Sequence, residues 1–231
     1  MECVIGAAHL APGALEVFRL VDLAKILQPE VNLCTWRRAA CEDIAELAGR
    51  VSGDVGRYSR DVMRCSEDSV EERVTALLPE AAREHRPAVA DRWRDDVVEL
   101  CDAFADLVQA EDLMISLEGP AEATCPRFHV DRVGIRMLVT YSGPGTEWLG
   151  EDDVDRRWLG EAGQGLPDDR NGVIRVGGKV RSVAPFSVTL LKGEAWPGAE
   201  GFGAVHRSPD PAGAPRLVLR VDVLSQAPRG D

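Results

Sequence analysis

The pattern that most constrains this chain is a change of hydrophobic period about halfway along it. From residue 112 onward, short runs rich in valine, isoleucine and leucine alternate with clusters of glycine and proline. Runs of this length, with turn residues between them and no helical periodicity, are typical of antiparallel β-strands. This half is therefore predicted to form a sandwich or barrel. The predicted strands span residues 113–117, 128–133, 136–141, 173–176, 187–191, 203–206 and 217–223.

The first half has the three- and four-residue apolar spacing of amphipathic helices. This spacing predicts helices over residues 69–110 and a shorter helix over residues 37–51. Ser69 followed by Glu72 has the form of a capping box, which marks the start of a helix. The first half is therefore predicted to be mainly helical.

The two halves together predict an α+β protein. We expect a mainly helical segment, residues 1–111, to pack on a β domain, residues 112–231. Within the second segment, the polar stretch 150–172 has the composition of a loop that can form a lid.

The charge balance bears on the partners of the chain. It carries 39 acidic and 27 basic residues, a formal charge of −12. Nucleic acid and anionic membranes are bound by concentrated basic residues, so neither is an expected partner. Residues 1–118 contain 24 of the acidic and 13 of the basic side chains. We interpret this local excess as solvated helix faces, with a docking surface for a partner as the alternative.

Six cysteines are spread along the chain without a Cys-x-x-Cys pair, and the first residues lack the pattern of a secretory signal. Both features predict reduced thiols and a cytoplasmic location. No apolar run approaches the roughly 18 residues that a membrane-spanning helix needs.

The motif with the most chemical content is the His-x-Asp pair formed by His129 and Asp131. Residues two apart in a strand point to the same face, so this imidazole and carboxylate can bind one cation. His206 ends another predicted strand and can supply a second imidazole. These three residues form a candidate metal site, the alternative being that both histidines are hydrogen-bonded polar groups at strand ends. His9 and His85 are expected at the surface.

Two metal ions fit such a ligand set. Fe(II) with two histidines and one carboxylate keeps open positions for a cosubstrate and O2. Zn(II) with the same residues and one water forms a tetrahedral catalytic site. Cys125, four residues before His129, can add a thiolate that closes the zinc site. The residues alone leave this choice open.

An arginine ten residues after His206, Arg216, completes the pattern His-x-Asp…His-x10-Arg. This pattern resembles the Fe(II)- and 2-oxoglutarate-dependent dioxygenases, and the resemblance covers residues 112–224. It implies a double-stranded β-helix, a cupin-like jelly roll, in which the arginine binds the far carboxylate of 2-oxoglutarate through two charge-assisted bonds. The implied roles are iron binding by His129, Asp131 and His206 and cosubstrate binding by Arg216, assisted by Arg136 or Tyr141.

Longer phrases of the sequence resemble a second family. Cys-Pro-Arg-Phe-His-Val-Asp at residues 125–131 and Val-His-Arg-Ser-Pro at residues 205–209 are similar to bacterial proteins of the DUF1826 family. This similarity spans most of the chain, and the family brings no established reaction. Through neighbours that resemble CobW-type metal-chaperone GTPases, the resemblance implies an association with metal homeostasis and such a GTPase as a partner.

Three functional hypotheses follow. The first is an oxygenase that uses Fe(II) and 2-oxoglutarate to oxidise a small-molecule or peptide substrate. The second is a cupin-like zinc-binding protein of metal homeostasis, with Cys125 as the fourth ligand and no oxygenase activity. The third is a non-catalytic β-barrel whose acidic helices dock a partner.

Overall fold

The computed structural model describes residues 7–54, 59–64, 69–119, 125–210 and 216–226. They form a mixed α+β structure whose strands pair mostly antiparallel, which confirms the predicted class. The chain divides into two compact units that interleave along the sequence, whereas the predicted division at residue 111 follows chain order. Unit 1 comprises Met1–Ala39, Glu122–Ile135 and Pro144–Ala212, and unit 2 comprises Ala40–Ala121, Arg136–Gly143 and Gly213–Asp231.

The strands are numbered in chain order. They are β1 (Ala7–Ala11), β2 (Ala14–Val17), β3 (Leu33–Trp36), β4 (Ser59–Arg64), β5 (Ala110–Glu118), β6 (Ile135–Ser142), β7 (Glu147–Leu149), β8 (Val180–Ser182), β9 (Val188–Lys192), β10 (Val205–Arg207) and β11 (Leu217–Gln226). The α-helices are α1 (Glu42–Val51), α2 (Val70–Leu77), α3 (Glu80–His85) and α4 (Pro87–Val108).

Among the described residues, the four α-helices belong to unit 2, and α4 is the longest of them, whereas the 3-10 helix Leu20–Leu27 belongs to unit 1. It begins at Pro87, where the missing N–H is not needed, and it ends at Val108, followed by the cap residue Gln109, whose φ of 51° is left-handed. The Ser69 hydroxyl accepts a hydrogen bond from the Glu72 amide at 3.4 Å, which is one half of the predicted capping box. In the described part of the chain, no helix has the length and apolar character needed to cross a membrane.

The strands of unit 2 pair antiparallel in the order β6-β11-β5-β4. Arg136 on β6 lies directly opposite Asp222 on β11, and both side chains are buried. Arg136 donates from Nε to Asp222 Oδ1 at 2.6 Å and from Nη2 to Oδ2 at 3.2 Å. Arg220 donates from Nε to Asp222 Oδ2 at 2.7 Å. One carboxylate therefore binds two guanidinium groups within unit 2.

Unit 1 contains strands β1, β2, β3 and β9, which pair in that order, and only β2 and β3 of these run parallel. It also contains the short antiparallel sheet β10-β7-β8. One side of this short sheet is apolar. The cluster on that side consists of Phe128, Leu149, Val154, Val173 and Val205.

The polar stretch 150–172 is a packed part of unit 1. It forms two short 3-10 helices, Arg156–Trp158 and Gly160–Gly163, and Val154 forms an isolated β-bridge with Ile174. Val154 lies in the apolar cluster beside the short sheet. The composition of this stretch predicts a loop, and in the structure its residues Val154 and Leu159 pack against the apolar cluster of the short sheet.

The expectation that residues 1–111 are mainly helical is wrong for its first part, which contains β1, β2 and β3. These strands are only four or five residues long, and β1 is rich in alanine, a residue that favours helices. Their pairing with β9, more than 150 residues away for β3, stabilises them despite this local preference. The predicted strands 128–133 and 173–176 are reduced to single β-bridges at His129 and Ile174.

Candidate metal centre

The two histidines of the candidate site lie opposite each other at the edge of the short sheet. His206 lies in β10, and His129 forms an antiparallel bridge with it. The amide of each residue donates to the carbonyl of the other at 3.0 Å. Because directly opposite residues project to the same side, the two imidazole rings lie close, with centroids 4.6 Å apart.

Asp131 completes this cluster. Its Oδ1 lies 3.5 Å from His129 Nε2, and its Oδ2 lies 3.2 Å from His206 Nε2. One ligand atom from each of the three residues lies within 4.8 Å of the others, and Asp131 and His206 are buried. All three residues belong to unit 1. The structure thus brings together the three residues that the spacing selects.

Backbone carbonyls hold both imidazole rings in the same way. His129 Nδ1 lies 2.8 Å from the Arg127 carbonyl oxygen, and His206 Nδ1 lies 3.0 Å from the Ala204 carbonyl oxygen. A carbonyl oxygen only accepts, so each Nδ1 carries the proton and donates it. In the neutral ring, Nε2 then keeps its lone pair, and this is the atom that faces Asp131.

The chemistry of this donor set fits a divalent metal ion. Two imidazole lone pairs and a carboxylate converge on one position, where their mutual repulsion is relieved by a cation. Nitrogen and oxygen ligands of this kind suit Fe(II) and also Zn(II). Among the described residues, the histidine, cysteine and carboxylate groups that can hold one ion together are His129, Asp131 and His206.

Cys125 is not a member of this cluster. Its side chain is exposed, and its carbonyl oxygen accepts a hydrogen bond from the Ser208 amide at 2.9 Å. The thiolate that would close a zinc site is therefore not positioned with the three ligands, and the zinc-binding alternative is not favoured.

The three residues predicted to bind the cosubstrate all belong to unit 2. Arg216 is buried just before β11, and burial lowers the pKa of its guanidinium to about 10, so it stays charged at neutral pH. The guanidinium of Arg136 binds Asp222, as described above, and the Tyr141 hydroxyl donates to Asp96 Oδ2 at 2.6 Å. Their role in cosubstrate binding stays a prediction.

An aromatic side chain lies next to His206 on the short sheet. Trp148 on β7 is directly opposite His206 on β10 and also directly opposite Arg181 on β8. It is buried, and the Arg181 guanidinium lies 5.2 Å from its ring centroid. Residues that are paired in this way project to the same side of a sheet, so the side chains of Trp148 and His206 lie on the same face of the short sheet.

Two glycines position Asp131, and neither was singled out from the sequence. A Cβ atom at Gly203 would overlap the Val130 side chain, and one at Gly193 would overlap the Val133 carbonyl oxygen. The neighbouring Glu194 amide donates to the Asp131 carbonyl oxygen at 2.8 Å. Both glycines thus allow the Asp131 loop to approach β9 and β10 closely. The sequence around them contains many glycines, so it does not indicate which ones make such contacts.

We expect Gly193→Ala to weaken metal binding, because the new Cβ would lie 2.6 Å from the Asp131 carbonyl oxygen and force the loop away. Overpacking of this kind typically lowers the free energy of unfolding by about 1–3 kcal/mol. Mn²⁺ titration followed by electron paramagnetic resonance measures the affinity. Gly134→Ala is the matched control, since its Cβ would meet only the Ala195 carbonyl oxygen at 3.9 Å. Equal affinities for the two variants would contradict this prediction.

Comparisons with known proteins identify a family and several distant structures. The profile of the family described as "Protein of unknown function (DUF1826)" matches residues 19–222. No curated protein matches the sequence.

The similar solved structures include dioxygenases. A rice dioxygenase for auxin oxidation is 14% identical, with 91% of this chain and 82% of that chain covered and a TM-score of 0.42. A Pseudomonas putida prolyl-4-hydroxylase is 10% identical, with 91% and 100% covered and a TM-score of 0.43. A bsmA homolog from Methylobium petroleophilum is 16% identical, with 90% and 95% covered and a TM-score of 0.45. At this distance, the activity must be argued from the residues of the site.

Proposed function

Since this chain belongs to the DUF1826 family, whose description assigns no reaction, we propose its function from the site: a non-haem Fe(II) oxygenase that uses 2-oxoglutarate. The observation that carries this proposal is the cluster of His129 Nε2, His206 Nε2 and an Asp131 carboxylate oxygen. Two histidines and one carboxylate form the facial triad of such enzymes.

The protein ligands have a defined task in this proposal. His129, Asp131 and His206 hold the ion through three atoms, and the carboxylate offsets part of its charge. With the Nδ1 protons donated to the Arg127 and Ala204 carbonyls, both rings keep Nε2 available without rearrangement. Three ligands leave the remaining positions of an octahedral ion to small molecules.

When bound, Fe(II) would supply the oxidising chemistry: one oxygen atom of O2 enters the substrate, and the other enters succinate as 2-oxoglutarate loses CO2. We assign the far carboxylate of 2-oxoglutarate to Arg216. The support is its position ten residues after His206, which matches the His-x-Asp…His-x10-Arg pattern, and its planar guanidinium, which can bind a carboxylate through two charge-assisted bonds. The antiparallel sheets are compatible with a double-stranded β-helix, which we propose as the finer description of the fold.

The test is anaerobic reconstitution of the purified chain with Fe(II). We expect one bound iron, weak visible absorption after 2-oxoglutarate is added, and slow succinate formation in air without substrate. A chain that retains zinc through reconstitution, gains no absorption and forms no succinate would contradict the oxygenase.

We expect Arg216→Ala to raise the KM for 2-oxoglutarate by at least about tenfold, because hydrogen bonds to charged groups are worth about 1.5–3 kcal/mol. Arg216→Lys, which keeps the charge but loses the two-pronged geometry, should have an intermediate KM. Iron content should not change. Arg220→Ala is the control, because Arg220 lies in β11, four residues after Arg216, and its guanidinium binds Asp222 and Glu118. An unchanged KM in Arg216→Ala would remove this residue from the cosubstrate site.

A further inference from the structure

Asp168 is a buried carboxylate outside the metal-binding cluster. Its Oδ2 accepts hydrogen bonds from the Phe128 amide and from Arg207 Nη1, both at 2.9 Å. Its Oδ1 accepts from Asn171 Nδ2 at 3.2 Å. All of these residues belong to unit 1, and the exposed fraction of the Asp168 side chain is 3%.

Two of these partners are the direct neighbours of metal-ligand candidates. Phe128 immediately precedes His129, and Arg207 immediately follows His206. Arg207 also stacks on the Phe128 ring, with its guanidinium carbon 4.3 Å from the ring centroid. One oxygen atom of Asp168 therefore joins the two chain segments whose bridge brings the imidazoles together.

The loop that presents Asp168 is itself well anchored. The Asn171 amide donates to the Pro167 carbonyl oxygen at 2.9 Å, and Asn171 Oδ1 accepts from the Val173 amide at 2.8 Å. Val173 is buried in the apolar cluster of the short sheet. The fold of this loop thus holds the Asp168 carboxylate in addition to its bonds to the two histidine segments.

Loss of this carboxylate would affect both segments together. The Phe128 amide would be left without this acceptor in a buried place, and the Arg207 guanidinium would keep its 2.7 Å hydrogen bond to Glu147 and its contact with the Phe128 ring. Either change allows one segment to shift against the other. Because metal–ligand distances are fixed within a few tenths of an ångström, such a shift weakens binding without removing a ligand.

We propose that Asp168 is a positioning residue of the metal centre, which sets the separation of the His129 and His206 imidazoles through Phe128 and Arg207. This inference rests on the proposed metal centre, and it adds a residue that the His-x-Asp…His pattern does not contain. It also assigns a role in holding the centre to the loop of residues 167–173.

The experiment is a Co²⁺ titration of the full chain, followed by visible absorption, whose band positions report the geometry of the ion. Asp168→Ala should weaken Co²⁺ binding by about 10- to 100-fold, the usual effect of outer-shell partners, and shift the bands. Asp168→Asn keeps an acceptor for the Phe128 amide, so its Co²⁺ affinity should fall only a few-fold. Its absorption bands should lie between those of the unmodified chain and those of Asp168→Ala.

Two controls separate positioning from general stability. Asp169→Ala removes the neighbouring carboxylate, whose side chain is 71% exposed, and should behave like the unmodified chain. Asp153→Ala removes another buried carboxylate of unit 1, one that binds the Lys179 amide and Arg181. It should lower the thermal unfolding midpoint but leave the Co²⁺ affinity and bands unchanged.

The outcomes are distinct. Unchanged Co²⁺ affinity and bands in both Asp168 variants would overturn the positioning role while leaving the metal centre intact. The same conclusion would follow if Asp153→Ala lost as much Co²⁺ affinity as Asp168→Ala. If Asp168→Ala does not fold, Asp168→Asn alone decides, and bands identical to those of the unmodified chain overturn the proposal. An unmodified chain that binds no Co²⁺ would overturn the metal centre and the proposed function with it.

Discussion

Replacing Asp131 by alanine is expected to abolish divalent-metal binding to this protein. Asp131 is the only carboxylate of the cluster found among the described residues, and its two oxygens face His129 Nε2 and His206 Nε2 at 3.5 and 3.2 Å. Without it, two neutral imidazoles would have to hold a dication with no compensating charge. The affinity should therefore fall by more than the roughly 10- to 100-fold that outer-shell changes cause.

Thermal unfolding with and without Co²⁺ measures this effect. A ligand at 100 times its Kd stabilises the folded state by about 2.7 kcal/mol, so Co²⁺ should raise the unfolding midpoint of the unmodified chain. We expect no such rise for Asp131→Ala. Asp131→Asn tests the charge alone, because it keeps the shape of the side chain and an acceptor oxygen.

The matched control is Asp153→Ala. Asp153 and Asp131 are both 8% exposed and belong to the same unit, but Asp153 binds Arg181 and lies outside the cluster. Its removal should cost stability yet leave the Co²⁺-dependent rise intact. A rise that persists in Asp131→Ala would mean that the ion binds elsewhere.

The histidine cluster shows which part of the site is readable from sequence. His129 and Asp131 are two residues apart, a spacing that puts both side chains on one face of a strand, so their convergence was predictable although the strand itself is reduced to a bridge at His129. His206 follows from its place in a predicted strand, although pairing with His129 is a long-range event. Residues that act through backbone contacts are not readable in this way, because Gly193 and Asp168 show no periodicity and no ligand spacing.

The fold shows a similar division. The helical periodicity between residues 69 and 110 corresponds to α2, α3 and α4, because each helix buries a stripe set by its own sequence. The strands of the first 40 residues are different, since β1 to β3 are short and partly alanine-rich, and they depend on pairing with distant residues. Local preference does not reveal such strands.

Arg136 illustrates a different limit of sequence reasoning. Its position after the His-x-Asp motif makes it a candidate for cosubstrate binding, but the partner that the structure shows is Asp222, 86 residues away. An arginine on a buried strand needs a counter-charge, and the sequence does not reveal whether that charge belongs to the protein or to a ligand. The Asp222 contact indicates a role in the stability of unit 2.

That role predicts that Asp222→Ala destabilises the protein strongly. Asp222 is 2% exposed and accepts hydrogen bonds from Arg136 and Arg220, so its removal leaves the buried Arg136 guanidinium without this carboxylate. Breaking a buried pair by removing one partner costs about 3–5 kcal/mol, which urea unfolding can measure.

Asp43→Ala is the matched control for Asp222→Ala, because Asp43 also binds two arginines, Arg86 and Arg92, within unit 2. Its side chain is 48% exposed, so water replaces the lost contacts and the unfolding midpoint should barely change. The double variant Arg136→Met with Asp222→Leu removes both buried charges and should recover much of the lost stability. Equal midpoints for Asp222→Ala and Asp43→Ala would show that the Arg136 charge is stabilised in another way, and would return Arg136 to the candidates for binding an anionic ligand.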